Sequence, residues 1–209
     1  MSNIVIIDYG YGNLHSVTKA VEAVMPKNSN LKLSNNPGDI VKADHIILPG
    51  VGAFADCMDG LDKIKDLKSS LNEAVLTRKK NFLGICVGMQ LLATDGYEHG
   101  KRAGLGFIEG SVIAIPSKDN DLKIPHMGWN NLQIIKDHPI FAGIENNSDV
   151  YFVHSYFMKC KDKKVIAGVV NYGEELQAII IKDNIIGMQF HPEKSQKIGL
   201  KLLANFLTL

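Results

Sequence analysis

Asn81-Phe82-Leu83-Gly84-Ile85-Cys86-Val87-Gly88-Met89-Gln90 decides how this chain folds. Residues 81–86 are a short, mostly apolar run of the length of a buried strand. A helical pattern through Met89, Leu92 and Ala93 follows at once and runs to Gly96. Gly84 and Gly88 flank Cys86 at the spacing of the Gly-x-Ser-x-Gly nucleophile elbow, with sulfur in place of hydroxyl. A sharp strand-to-helix turn needs small neighbours, and it projects its central side chain from the carboxyl edge of a sheet, where α/β sites form.

The same alternation precedes this segment. Residues 3–8 form an apolar run, a Gly-rich turn follows, and Val17, Ala20, Val21, Val24 and Met25 recur at helical spacing. His45-Ile46-Ile47-Leu48 is a second buried-strand candidate, and Leu61, Ile64, Leu71 and Val75 mark one face of a helix. Strands alternating with helices predict right-handed crossovers and a parallel sheet covered on both faces. Beyond residue 105 the texture turns to short β-type runs at 111–115, 132–135, 150–153, 165–170, 177–181 and 185–190. Asp183-Asn184 has hairpin-turn composition, and Ile198, Leu202, Leu203, Phe206 and Leu207 predict a closing helix. The expected fold is a single α/β domain over residues 1–209, with a largely parallel central sheet flanked by helices and added antiparallel strands in the C-terminal half.

The 209 residues are 45% hydrophobic and 22% charged, inside the range of globular domains, which excludes disorder and collagen-like order. A net charge of +1 gives no field to attract phosphate backbones or anionic lipid, so neither nucleic acid nor membrane is an expected partner. No apolar stretch approaches a membrane span, and the start reads as a strand and not a signal peptide. Cys57, Cys86 and Cys160 are an odd number at wide spacings. They form no disulfide framework and no structural zinc motif, which points to a reducing cytoplasm; seven histidines leave a scattered metal site open, and no metal or cofactor is expected.

Cys86 has two readings. At a helix N-terminus, unpaired N–H groups and the macrodipole favour an anion, and thiols so placed have pKa values of roughly 4 to 7. Alternatively it is a small buried hydrophobe at a strand end. A base separates the two, and Gln189-Phe190-His191-Pro192-Glu193 supplies a candidate. Pro192 favours an extended His191. If that conformation persists, Glu193 lies on the same side and holds the imidazole Nδ1–H while Nε2 faces the sulfur, which is the logic of a triad.

With the elbow and His191-Pro192-Glu193 in view, the chain resembles the class I, triad-type glutamine amidotransferases. The likeness extends over Asp8-Tyr9-Gly10-Tyr11-Gly12-Asn13-Leu14, Leu48-Pro49-Gly50-Val51-Gly52-Ala53-Phe54, Pro125-His126-Met127-Gly128-Trp129-Asn130 and Val153-His154-Ser155-Tyr156, nearly the whole chain. It implies that Cys86 attacks the side-chain amide of glutamine, that His191 moves the protons and that Glu193 orients His191. The N–H of Val87, next after the nucleophile, is an expected oxyanion donor. A second donor is expected from the loop after the second strand, assigned to Val51 and Gly52, where paired glycines permit close approach or rotation of a peptide. By the same resemblance Gly52, Gln90 and the His154-Ser155-Tyr156 segment contact glutamine.

Ammonia is protonated near neutral pH and then is no nucleophile, so a glutaminase implies an acceptor enzyme. The resemblance points to the family members that serve a (β/α)₈ barrel cyclase of the histidine pathway as one half of a heterodimer. The docking face expected by that analogy includes Asn13, Met127, Trp129 and Lys194. Rival readings are a thiol hydrolase of another elbow family, and a related glutaminase that supplies ammonia for aminosugar modification in surface polysaccharide synthesis. A dinucleotide site at Gly10-Tyr11-Gly12 is set aside, because His15 stands where the third glycine of the fingerprint belongs.

Overall fold

The three strands expected in the first half of the chain lie side by side. In the computed structural model, which describes residues 2–116 and 122–209, β1 (Ser2–Ile7) pairs in parallel with β3 (His45–Gly50), and β3 with β4 (Asn81–Cys86). All six residues of β3 are buried. Because successive side chains of a strand point to opposite faces, both faces of the sheet are covered there.

The crossovers carry α1 (Leu14–Val24), β2 (Ser29–Ser34), α2 (Pro37–Lys42), α3 (Phe54–Asp62) and α4 (Leu67–Asn72), and a single turn, α5 (Val87–Gln90), follows β4. The short β5 (Asp95–Gly96) and β6 (Arg102–Ala103) lead to β7 (Gly110–Ala114) and β8 (His126–Ile134). The chain closes with β9 (Ser148–His154), β10 (Tyr156–Cys160), β11 (Ile166–Tyr172), β12 (Glu174–Lys182), β13 (Ile185–Met188) and α6 (Gln196–Phe206). The main sheet has nine strands in the order β2-β1-β3-β4-β13-β12-β11-β8-β9. It is parallel from β2 to β13 and antiparallel from β13 to β9. A four-stranded sheet, β10-β7-β5-β6, accompanies it. This is the expected α/β class, with the hairpin turn at Asp183-Asn184 joining β12 to β13.

Several local expectations need correction. The helix expected from Leu61 to Val75 is broken: α3 ends at Asp62, α4 starts after a left-handed Asp66, and a π-turn follows at Glu73–Thr77. β8 begins at residue 126, not 132, and β13 ends at 188, not 190. β2, α2 and β10 had no counterpart in the sequence reading. The helix after Cys86 is a single turn that ends at Gln90 and does not continue through Leu92 and Ala93.

Candidate active site

The topology brings three distant segments to one edge. Gly50 pairs with Cys86 across β3 and β4, and Met188 pairs with Ile85 across β4 and β13. The loop after β3, the end of β4 and the segment after β13 are therefore neighbours at the carboxyl edge. Cys86 turns the chain there with φ 55° and ψ −113°, outside the regions an L-residue favours. A β-carbon at Gly84 would run into the Gly88 carbonyl, and one at Gly88 would overlap the carbonyl oxygen of Leu48, so both glycines are required by packing. A four-residue helix carries little macrodipole. What acts on Cys86 is thus the local N–H groups and its neighbours rather than the dipole of a long helix.

His191 is held from both sides of its main chain. Its N–H donates to the Tyr151 carbonyl at 2.9 Å, and its carbonyl accepts from Ser195 Oγ at 2.7 Å. Ser195 Oγ itself accepts from the Tyr151 N–H at 3.0 Å. His191 is extended as expected, but Pro192–Lys194 is a 3₁₀ turn. That turn, not a continued strand, brings Glu193 Oε1 to 2.8 Å from His191 Nδ1. Both side chains are buried. The Glu193 carboxylate accepts from Nδ1–H, which leaves Nε2 for the hydrogen bond with Cys86. Burial alone would pull the imidazole down; hydrogen bonds to Cys86 and Glu193, and their charges, outweigh it and push it up to about 10. Among the described residues Glu193 Oε2 is buried without a hydrogen-bond partner, so the carboxylate's compensation falls on the imidazole.

The loop after β3 is pinned at two carbonyls. Tyr9 Oη donates to the Pro49 carbonyl at 2.8 Å, and Cys57 Sγ to the Val51 carbonyl at 3.4 Å. Burial raises the Cys57 thiol to about 11 and, with the nearby Cys57, raises the Tyr9 phenol, so both stay protonated donors. A β-carbon at Gly50 would lie 2.7 Å from Gly88 N and 2.9 Å from Val87 Cβ. The loop lies directly on the elbow, and Gly52, at φ 97°, continues it in a conformation suited to glycine.

These groups share a cavity of about 330 Å³. Of the residues expected at the site, Val51, Gly52, Cys86, Val87, Gln90, His154, Ser155, Tyr156, His191 and Lys194 line it. Both Gln90 amide hydrogens are committed, to the Tyr156 carbonyl at 2.9 Å and to Gln189 Oε1 at 3.1 Å, so only its carbonyl oxygen remains for a ligand. His154 departs from expectation: Nδ1 donates to the Tyr156 carbonyl and Nε2 accepts from His126 Nδ1, each at 2.9 Å, so its ring supports the wall and has no free nitrogen for a ligand. Burial lowers His154 to about 3 and His126 to about 4, and both rings are neutral at physiological pH.

Glu98, Pro125 and Val153 also line the cavity, and the sequence reading had named none of them as site residues. Glu98 Oε2 accepts from the Phe54 N–H at 2.7 Å, a pairing between distant segments that no local pattern announces. Asn13, Met127 and Trp129 do not line it. Asn13 stands at the N-cap of α1 but makes no capping bond. Met127 and Trp129 are 62% and 48% exposed on β8. Trp129 meets the Tyr151 ring edge-on at 5.8 Å, and Lys194 Nζ sits 5.8 Å from the same ring, so the three form one surface cluster beside the cavity.

A thiol and an imidazole on the wall of a cavity, with a buried carboxylate bonded behind the imidazole, can perform acyl transfer. Comparison with known proteins gives the family. The model of the family described as "Glutamine amidotransferase class-I" matches residues 5–209. The chain is 51% identical over 206 residues to "Imidazole glycerol phosphate synthase subunit HisH 1" of Campylobacter jejuni (strain RM1221), covering 99% of this chain and 100% of that one. It is 44% identical over 207 residues to "Imidazole glycerol phosphate synthase subunit HisH" of Pelagibacter ubique (strain HTCC1062), again covering 99% and 100%. Among solved structures, a chain of PurLQS from Thermotoga maritima superposes with a TM-score of 0.72 at 18% identity, covering 100% of this chain and 98% of that one. At that identity the likeness shows the fold alone.

Proposed function

The chain belongs to the class I glutamine amidotransferase family, and from that premise we propose that it is the glutaminase subunit of an imidazole glycerol phosphate synthase in histidine biosynthesis. In this reading it hydrolyses glutamine to glutamate and passes the ammonia to a cyclase partner in a heterodimer, within the cytoplasm. The observation that carries the chemistry is the hydrogen-bonded series Cys86, His191, Glu193, with the first two on the cavity wall and the carboxylate buried behind them.

The Cys86 thiolate attacks the amide carbon of glutamine. The C–S bond forms as the carbonyl π pair moves onto oxygen, and the N–H groups of Val87 and of the Val51-Gly52 loop receive that oxyanion. One such donor contributes about 10²- to 10³-fold in rate. His191, protonated and hydrogen-bonded to Glu193, gives its proton to the departing nitrogen. The C–N bond breaks, ammonia leaves and a glutamyl thioester remains. Water then attacks the thioester while His191 takes its proton, and collapse expels the thiolate and releases glutamate. The acid–base role is worth about 10²- to 10⁴-fold. The Glu98 carboxylate suits the α-ammonium of glutamine, and the Gln90 carbonyl oxygen and Ser155 complete its amino-acid end.

The test measures glutamate release by the wild type and Cys86→Ala, with and without the cyclase and its nucleotide ligand. Turnover that rises with the partner and vanishes in Cys86→Ala is the expected result. Turnover only with an aminosugar-modifying partner would assign the chain to the polysaccharide branch instead. Hydrolysis of esters or γ-glutamyl peptides with none of glutamine would make it another thiol hydrolase.

A further inference from the structure

Gln189 belongs to no part of the mechanism above, yet its side-chain amide is fully buried and reaches the nucleophile: Nε2 lies 3.9 Å from Cys86 Sγ. Which end of a buried amide faces the sulfur is decided by its neighbours. The Tyr156 carbonyl can only accept, so Gln90 must present Nε2 to it, at 2.9 Å. The second hydrogen of that nitrogen then points at Gln189 and demands an oxygen there, at 3.1 Å. Gln189 is thereby oriented with its own N–H₂ toward the sulfur. The His154 Nδ1–H, which shares the same carbonyl at 2.9 Å, keeps Tyr156 in place.

We propose that Gln189 is a further catalytic residue of the glutaminase reaction: its amide, turned by Gln90 and the Tyr156 carbonyl, donates to the Cys86 sulfur and favours its anionic form. The inference rests on the glutaminase reading. An N–H aimed at sulfur stabilises a thiolate more than a thiol, because a hydrogen bond to a charged acceptor is the stronger one. It also offsets the Val153 carbonyl, which stands 4.0 Å from the sulfur on the cavity wall and repels an anion. The titratable groups that face Cys86 are His191, backed by Glu193, together with Tyr9 and Cys57. Substitution at 189 leaves all four unchanged.

The experiment follows the rate of Cys86 alkylation by iodoacetamide against pH, in the protein paired with its cyclase, for the wild type, Gln189→Met and Gln189→Leu. Gln189→Met keeps the volume and removes the donor. Its alkylation midpoint is expected to rise by about one pH unit, and kcat for glutamine to fall about tenfold, with KM within about twofold. Gln189→Leu also removes the donor without adding a charge, is expected to raise the midpoint by a similar amount, and carries the test should the Met variant not fold. A wild-type midpoint in a variant that folds and melts normally overturns the proposal. Labelling of wild-type Cys86 by a glutamine-mimicking diazoketone is run in parallel. If that labelling fails, the glutaminase reading itself is lost; if it succeeds while the midpoints coincide, only the role of Gln189 is lost.

Discussion

Gly199 of α6 rests against the carbonyl of Pro192, so closely that a β-carbon at 199 would overlap the oxygen. Pro192 follows His191, and the last helix is therefore part of what sets the imidazole's position. Gly199→Ala must push the turn or the helix aside, an overpacking cost of about 1–3 kcal/mol. The expected outcome is a lower Tm together with a fall in glutamine turnover larger than the loss of folded protein explains. A variant that is less stable but fully active per folded molecule would show that the turn tolerates displacement.

Cys86 adopts its φ of 55° at a cost, since such backbone strain in a non-glycine residue amounts to about 1–3 kcal/mol. Cys86→Ala keeps the strain; Cys86→Gly releases it but loses about 0.5–1 kcal/mol to the freedom of its unfolded chain. Strain is the larger quantity, so Cys86→Gly should equal or exceed Cys86→Ala in urea stability by up to about 2 kcal/mol. The reverse order would mean that the elbow is relaxed.

His191→Asn removes the imidazole to which proton transfer is assigned in the proposed reaction, while keeping a polar side chain. Glutamate release in the presence of the cyclase is expected to fall by about 10²- to 10⁴-fold with little change in KM. Glu193→Gln should also lower kcat, because Nδ1–H loses a charged acceptor. Near-wild-type kcat in either variant removes that residue from the proton path.

Acid should weaken the fold well above the carboxylate range. His126 and His154 titrate at about 4 and 3 in the folded chain, against an ordinary value of 6.5. Between those values the unfolded chain binds protons that the folded one refuses, so stability falls as pH drops from about 6.5 towards 4. His45 and His138, also lowered by burial, act in the same direction. Urea midpoints from pH 7.5 to pH 4.5 measure the slope. His126→Phe, which keeps the stack on Tyr172 and Phe152, should flatten part of it, and an unchanged slope would free His126 of this role.

The cluster of Trp129, Tyr151 and Lys194 beside the cavity is the place to probe the partner. Trp129→Ala removes an aromatic that is 48% exposed and should leave stability within about 0.5 kcal/mol while weakening cyclase affinity about tenfold or more. Titration calorimetry checks it. Equal affinity would move the interface elsewhere.

How much of this was legible in the chain followed burial. β1, β3, β4 and β13 were read from apolar runs because a central strand buried on both faces keeps its polar residues to its first positions. β2 escaped because Ser29-Asn30-Leu31-Lys32-Leu33-Ser34 is an edge strand with a mixed pattern, and α2 because six residues are too few to show a period. The first half of β8 hid its strand behind Gly128, Trp129, Asn130 and Asn131, which face solvent or make side-chain bonds. At the site, Cys86, His191 and Glu193 stood out through local spacing. Glu98 and Gln189 did not, since each acquires its place only when segments far apart in sequence come together.

The adjacency of β13 to β4 also sets what completes the site. The sulfur comes at the end of β4, while the imidazole and carboxylate come only from the turn beyond the last hairpin. Unless that hairpin is seated beside β4, the thiol lacks this imidazole. The three groups meet only in a finished sheet.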